Sequence, residues 1–130
     1  MKRTNDRNEI KRWVREFYLS HPIVRIDNDD IEPFFLTHNA LVAFKFQTSI
    51  SEFTACPDIC KKIEKEFKAL SQTNVIKRIL VLILLPINHQ MQIEDLSYFK
   101  AMQEKTPSVT WGLGVWDKEE VRVATLVLIA

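Results

Sequence analysis

Three stretches of the chain repeat apolar residues with the period of an amphipathic helix. In the first, Asp6 to Leu19, the apolar side chains lie three or four residues apart: Ile10, Trp13, Val14, Phe17 and Tyr18. The second runs from Pro57 to Leu70, and the third from about Gln92 to Lys105. Because this spacing places the apolar side chains on one face of a helix, we predict three helices that each cover a sheet or core.

A different pattern, alternating or uninterrupted apolar residues, predicts the strands. The four stretches of this kind are Ala40 to Phe46, Ile79 to Leu85, Val109 to Leu113 and Glu120 to Ala130. The run from Ile79 to Leu85 contains no polar residue, and this is typical of a strand covered on both faces. We therefore expect this strand to lie inside the sheet.

The order of these elements predicts the fold class. A short helix at Ile31 to Leu36, begun by an acidic turn, completes the series α, α, β, α, β, α, β, β. Right-handed crossovers place the second and third long helices on the same face of the sheet. We predict an α+β fold with a mixed four-stranded sheet, two helices on one face and the N-terminal helix on the other. The last two strands are predicted to form an antiparallel hairpin.

Composition narrows the classes of function. The chain has 130 residues, 46% of them hydrophobic, and a net charge of +1. This composition predicts a single globular domain, without a global charge that would attract nucleic acid or an anionic membrane. No apolar run is long enough to span a bilayer, and the charged N-terminus does not resemble a signal segment, so we expect a cytoplasmic protein.

The chain contains few residues of the types that bind metals or phosphates. Cys56 and Cys60 share one helix face, but no second cysteine pair or histidine pair completes a zinc set, so we expect no metal. The only glycines, Gly112 and Gly114, are predicted to serve a turn at the end of a strand. Because a phosphate-binding loop needs several glycines, we expect no nucleotide or other cofactor on this chain.

The acidic segment between the first two helices offers the main candidate site. Asp27, Asp29, Asp30 and Glu32 follow an extended piece that begins at Ile23. Such a cluster can bind a metal or take part in catalysis. A turn in which Asp29 or Asp30 caps the short helix, with the other acids in solvent, accounts for the same residues and is the favoured interpretation.

The chain resembles the C-terminal domain of the tubulin/FtsZ superfamily, and of FtsZ in particular, over nearly its whole length. The resemblance rests on the order and spacing of four stretches: Ile79 to Ile83, Ile93 to Leu96, Thr110 to Gly114 and Val121 to Ala130. It implies that residues 1–130 form a single FtsZ C-terminal-like domain and that residues 6–19 resemble the end of the family's central helix. The family's GTP-binding domain would precede such a segment, so we expect no GTP bound by this chain on its own.

The resemblance also assigns an interaction loop. The family joins its central helix to this domain by a loop with the motif N-x-D-x-x-D, and Asp27 and Asp30 match the two acids. Arg25 stands where the family has Asn. In FtsZ this loop enters the nucleotide site of the next subunit, where its acids help to polarise the attacking water. The resemblance implies a non-catalytic protein-interaction module related to cell division, which binds an FtsZ-like filament or itself.

Two other functions remain open at this point. A small enzyme or ligand-binding protein with a site at an oligomer interface could use His38, His89, Asp27, Asp30 and Arg25, although no nucleophile–base pair is visible. Plain oligomerisation could use Trp111 and Trp116, which flank the glycines, if both are exposed. The basic side of the first helix could contact phosphate, but a solvated face is the favoured interpretation.

Overall fold

The structure is a computed structural model that describes residues 2–36, 40–49, 56–86 and 109–129, together with the single residues 97, 100 and 104. For residues 48–49 and 56–60 the description covers the backbone. The elements of these residues, in chain order, are β1 (Lys2–Thr4), α1 (Arg7–Leu19), β2 (His21–Val24), α2 (Asn28–Leu36), β3 (Ala40–Ser49), α3 (Cys56–Thr73), β4 (Ile76–Pro86), β5 (Val109–Trp116) and β6 (Glu120–Ile129).

The strands of the described residues form one mixed, six-stranded sheet in the order β1-β3-β6-β4-β5-β2. Strands β4 and β5 are parallel, and the other neighbours are antiparallel. The predicted α+β class with a mixed sheet is confirmed. The prediction missed β1 and gave β2 only as an extended piece from Ile23, because strands of 3 and 4 residues are too short for an alternating pattern to be recognised.

The predicted hairpin of the last two strands is wrong. Strand β6 lies between β3 and β4 and pairs with both, while β5 lies on the far side of β4. The connection from Asp117 to Glu119 crosses the end of β4, where Pro86 is the register partner of Trp116. Because β6 is buried from Val121 to Ile129, a central place in the sheet suits it better than an edge.

Each face of the sheet has its own core. Residues Leu80, Leu82 and Leu84 of β4 pack with α1 and α2 on one face, hereafter the α1 face. The alternate residues Ile79, Val81 and Ile83 pack with α3 on the other, hereafter the α3 face. The uninterrupted apolar run is therefore a strand covered on both sides, as predicted, and the N-terminal helix lies opposite α3.

The helix predicted from Gln92 to Lys105 lies mostly outside the described residues. Three residues within it, Ser97, Lys100 and Glu104, are described and helical. In the described part of the chain, no helix is both long and apolar enough to cross a bilayer.

The two glycines are not in a turn, contrary to the prediction. Both lie within β5, where they allow α1 to approach the sheet closely. A Cβ atom on Gly112 would lie 2.8 Å from Cζ of Phe17, and one on Gly114 would overlap Oγ of Ser20. Distances this short are not tolerated between packed carbon atoms, so any larger residue requires Phe17 or Ser20 to move.

Candidate functional site

The segment from Arg25 to Asp30 joins β2 to α2 and leaves its charged side chains in solvent. Ile26 is buried in the core of the α1 face, whereas Arg25 and Asp27 on either side of it are exposed. Burial of this one apolar side chain fixes the backbone between the two charges. The loop therefore presents Arg25 and Asp27 from a position held by the core.

Hydrogen bonds at the start of α2 fix the rest of the loop. The backbone amide of Asp27 donates to Oδ2 of Asp30 at 3.0 Å, and the amide of Asp30 donates to the carbonyl oxygen of Asp27 at 3.0 Å. This is the helix-side half of a capping box, in which a residue in the first turn accepts from the cap residue. Helix α2 begins at Asn28, three positions before the predicted start at Ile31. The prediction that Asp29 or Asp30 precedes the helix as its cap is therefore wrong: both lie in its first turn, where Asp30 accepts from the amide of Asp27. Asp30 is half-buried, so Asp27 is the more available acid.

Tyr18 connects this loop to the end of α1. Its hydroxyl group lies 3.3 Å from Oδ1 of Asn28, to which it donates a hydrogen bond. Partial burial raises the pKa of Tyr18 above the usual 10.0, and the nearby carboxylates of Asp27 and Asp30 raise it further. A groove of about 400 Å³ runs between these elements and is lined by Phe17, Tyr18, Pro22, Arg25, Ile26 and Asp27. Its apolar floor and charged rim suit a side chain of a partner better than a small polar ion.

Arg25 is available to a partner as well. The ion pairs formed among the described residues are Lys2–Glu9, Arg12–Glu16 and Arg122–Glu16, and none of them involves Arg25. Both charges at the rim of the groove are thus exposed and oriented by the same short loop.

The other candidate residues do not join this loop. His38 and His89 lie outside the described residues. Among the residues that the structure does describe, no three His, Cys, Asp or Glu side chains are grouped so that they could hold a metal ion. Asp29 and Glu32 are exposed on α2.

The tryptophans do not form the exposed pair that oligomerisation would need. Trp116 is buried, and its indole nitrogen donates to the carbonyl oxygen of Glu120 at 2.7 Å. Trp111 is half-buried and packs against the core of the α3 face. The oligomerisation hypothesis required both tryptophans to be exposed, and Trp116 is not.

Arg122 is a buried charge whose role was not predicted from the sequence. Its side chain is 4% exposed, pairs with Glu16 of α1 and lies 4.9 Å from the centre of the Trp116 ring. It also donates to the carbonyl oxygen of Trp13 at 3.4 Å. Arg122 is the only charged residue between Val121 and Ile129, and this was the signal that could have revealed it, because buried charges require partners. This contact fixes α1, and through α1 the loop, on the sheet.

The fold is similar to that of FtsZ from M. jannaschii, solved as an empty dimer, with a TM-score of 0.59 and 10% sequence identity. The similarity covers 88% of this chain and 34% of the FtsZ chain, so the chain spans about a third of the length of that protein. No protein-family model matches the chain, and neither does any curated protein sequence. The chain has a tubulin/FtsZ-like fold, as the sequence predicted. At this identity the similarity establishes the fold and not the activity.

Proposed function

We propose that the chain is a non-catalytic protein-interaction module whose binding surface is the loop from Arg25 to Asp30. The single observation that carries the proposal is the placement of Arg25 and Asp27: both are exposed, on a backbone fixed by buried Ile26 and by the cap of α2. A surface that is ordered before binding loses little conformational entropy when it binds.

An FtsZ-like filament is the proposed partner, with a second copy of the chain as the other possibility. Two observations support this choice: the FtsZ-like fold, and the match of Asp27 and Asp30 to the acids of the family's subunit-contacting loop. The similar FtsZ chain was itself solved as a dimer. A chain that presents this loop to the end of a filament would occupy the position of the next subunit and slow further addition.

The groove beside the loop supports the alternative, a ligand-binding protein. Its volume of about 400 Å³ is sufficient for a small organic molecule, and the Tyr18 hydroxyl group, Arg25 and Asp27 provide polar contacts at its rim. No nucleophile and base lie within hydrogen-bonding distance of each other around this groove among the described residues, and for this reason the interaction module is preferred.

Sedimentation and GTP turnover test the proposal. The chain is added to polymerising FtsZ of M. jannaschii, and the pelleted chain and the rate of phosphate release are measured. We expect the chain to appear in the pellet and to change the rate of turnover in proportion to its concentration. Sedimentation velocity of the chain by itself tests the self-association form. If the chain stays in the supernatant, leaves turnover unchanged and is monomeric, the proposal is wrong.

A further inference from the structure

The two sides of α1 carry opposite types of charge. Its acids, Glu9 and Glu16, both lie toward the sheet, where they pair with Lys2 and Arg122. Attraction to Lys2 lowers the pKa of Glu9, so this carboxylate is charged at neutral pH. The acids of the helix are thus neutralised by the sheet.

Beyond Asn8 in its first turn, the side of α1 that faces away from the sheet carries cations and large side chains. Its exposed residues from Lys11 onward, hereafter the α1 outer face, are Lys11, Arg12, Arg15, Tyr18 and Leu19. Arg12 lies 3.9 Å from Glu16, at the outer limit of an ion pair, and Arg15 takes part in none of the ion pairs of the described residues. At least one guanidinium group on this face therefore has no carboxylate partner among the residues that the structure describes.

The C-terminal end of the same face is apolar. Leu19 is 76% exposed and Tyr18 is 41% exposed, both high values for large apolar side chains. Leu19 also borders a groove of about 340 Å³, whose lining includes Trp116 and the charged residues Glu16, Asp117 and Lys118. Exposed apolar side chains beside a groove are a common feature of protein-binding surfaces.

The spacing of these residues defines the shape of a partner. Arg12, Arg15 and Leu19 follow one another at three and four residues, so they form a single row along the helix. With a rise of about 1.5 Å per residue, the two cations lie about 6 and 10 Å from Leu19 along the axis. A complementary ligand therefore needs carboxylates one to two helical turns away from an apolar side chain.

We propose that the α1 outer face docks an acidic protein segment that carries one apolar anchor, with its carboxylates on Arg12 and Arg15 and its anchor on Leu19 and Tyr18. Nucleic acid fits this face less well, because the net charge of +1 provides no wider attractive field for a polyanion. The proposal goes beyond the proposed function, because Arg12, Arg15 and Leu19 lie outside the Arg25 and Asp27 loop and its groove, with Tyr18 bordering both, and because it is tested without FtsZ.

Fluorescence anisotropy with a designed peptide tests this proposal. The probe is a fluorescein-labelled helical peptide with glutamates on two successive turns and a leucine one turn later. Two matched peptides replace the glutamates by glutamine or the leucine by serine, and a single-stranded DNA of similar length serves as the nucleic-acid probe. We expect the acidic peptide to bind at least about tenfold more tightly than either matched peptide or the DNA, since both kinds of contact contribute.

Matched variants locate the binding site. Neutralisation by R12Q/R15Q is expected to weaken binding about tenfold, and L19S about fivefold, as lost charge pairs and lost apolar area imply. The controls are K65Q/K68Q on the exposed side of α3 and V75S, since Val75 is 71% exposed and distant in sequence from α1. They are expected to change the affinity by less than about twofold. The single variant R15Q is included because Arg15 is exposed and outside the ion pairs, so its replacement should weaken binding without disturbing the fold.

Specific results would overturn the inference. These are equal binding of the acidic and glutamine peptides, equal loss in the α3 controls, or tighter binding of DNA than of the acidic peptide. Loss of binding in L19S but not in R15Q or R12Q/R15Q would contradict the charge contribution. None of these results depends on whether the Arg25 and Asp27 loop binds FtsZ.

Discussion

The two faces of the sheet achieve their packing by different means. On the α3 face, Ile63, Phe67 and Leu70 pack against aliphatic side chains of β4 and β6. On the α1 face, individual pairs determine how close the helix lies: Phe17 over Gly112, Ser20 over Gly114, and Glu16 with Arg122. The α3 face requires apolar side chains of suitable volume, whereas the α1 face requires particular residues.

This difference has a functional consequence. The candidate loop follows β2, which pairs with β5 beside the end of α1, and its buried residue Ile26 belongs to the core of the α1 face. The face that depends on specific contacts is therefore the face that positions Arg25 and Asp27. Substitutions there should alter both stability and the loop, whereas conservative substitutions on the α3 face should alter stability to a smaller extent.

The largest effect is expected when Glu16 is changed to Gln. The substitution leaves the Arg122 guanidinium group buried without its counterion, and removing one member of a buried pair costs about 3 kcal/mol, less here because Glu16 is partly exposed. Arg122→Met removes the charge and retains similar volume, so it should cost less than Glu16→Gln. Urea unfolding of both variants shows which one loses more stability. A greater loss of unfolding free energy for Arg122→Met would contradict this account of the pair.

Gly112→Ala should destabilise the chain by about 2 kcal/mol, because the added methyl group meets the buried ring of Phe17. Gly114→Ala should cost less, since the hydroxyl group of Ser20 lies at the end of a short side chain at a half-buried position. Thermal unfolding of the two variants compares them. If both variants unfold at nearly the temperature of the unaltered chain, α1 is not held against β5 as closely as described.

Asp30→Ala should lower the free energy of unfolding by about 1 kcal/mol, the usual cost of a lost helix cap. The variant loses the hydrogen bond from the Asp27 amide at the first turn of α2. Asp29→Ala is the matched control, because it removes an exposed acid from the same turn without a hydrogen bond of this kind. Similar losses in the two variants would contradict a specific capping role for Asp30.

Thr125→Val on the α3 face should be neutral or stabilise the chain by about 0.5 kcal/mol, because a buried hydroxyl group without a partner disfavours folding. Oγ1 of Thr125 is buried and has no hydrogen-bond partner among the described residues. The exchange retains the shape of the side chain. A loss of more than about 1 kcal/mol would show that this hydroxyl group has a role that apolar packing cannot replace.

The smallest predicted change concerns the ionisation of Tyr18. Burial, Asp27 and Asp30 raise its pKa, and Asp27→Asn should therefore lower the pKa toward 10.0. Because the pKa is raised in the folded chain, the contribution of Tyr18 to the free energy of unfolding is fully present below the ordinary tyrosine pKa. It is lost as the pH rises from that value to the pKa of Tyr18 in the folded chain. NMR titration of labelled tyrosine, assigned with Tyr18→Phe, measures both values. An unchanged pKa in Asp27→Asn would place the loop farther from Tyr18.

The sequence predicted the elements whose pattern depends on local periodicity. Helix α1 was expected from Asp6 to Leu19 and spans Arg7–Leu19, with the Asp6 side chain as its N-cap. The buried run of β4 was also expected. The place of β6 was not, because the burial of a strand does not specify which strands pair with it. The position of the glycines under Phe17 and Ser20 likewise depends on contacts between distant residues.

The candidate site was predictable to a similar extent. Arg25, Asp27 and Asp30 were located by resemblance, and helix chemistry predicted that an acid would stabilise the start of α2, although Asp30 does so from within the first turn. The burial of Ile26 between exposed Arg25 and Asp27 could not be predicted, because it depends on how α1 packs against the sheet. Arg122 was missed because a charged residue in a strand does not by itself reveal a partner on a helix.

The binding isotherm of the chain on M. jannaschii FtsZ filaments tests the central claim most directly. Three proteins are compared by co-sedimentation: the unaltered chain, Arg25→Ala/Asp27→Ala, and the control Asp117→Ala/Lys118→Ala, whose residues are exposed in the turn before β6. The account predicts that the loop variant binds at least about tenfold more weakly while the control binds as the unaltered chain does. Equal binding by all three proteins, or no binding by the unaltered chain, would contradict it.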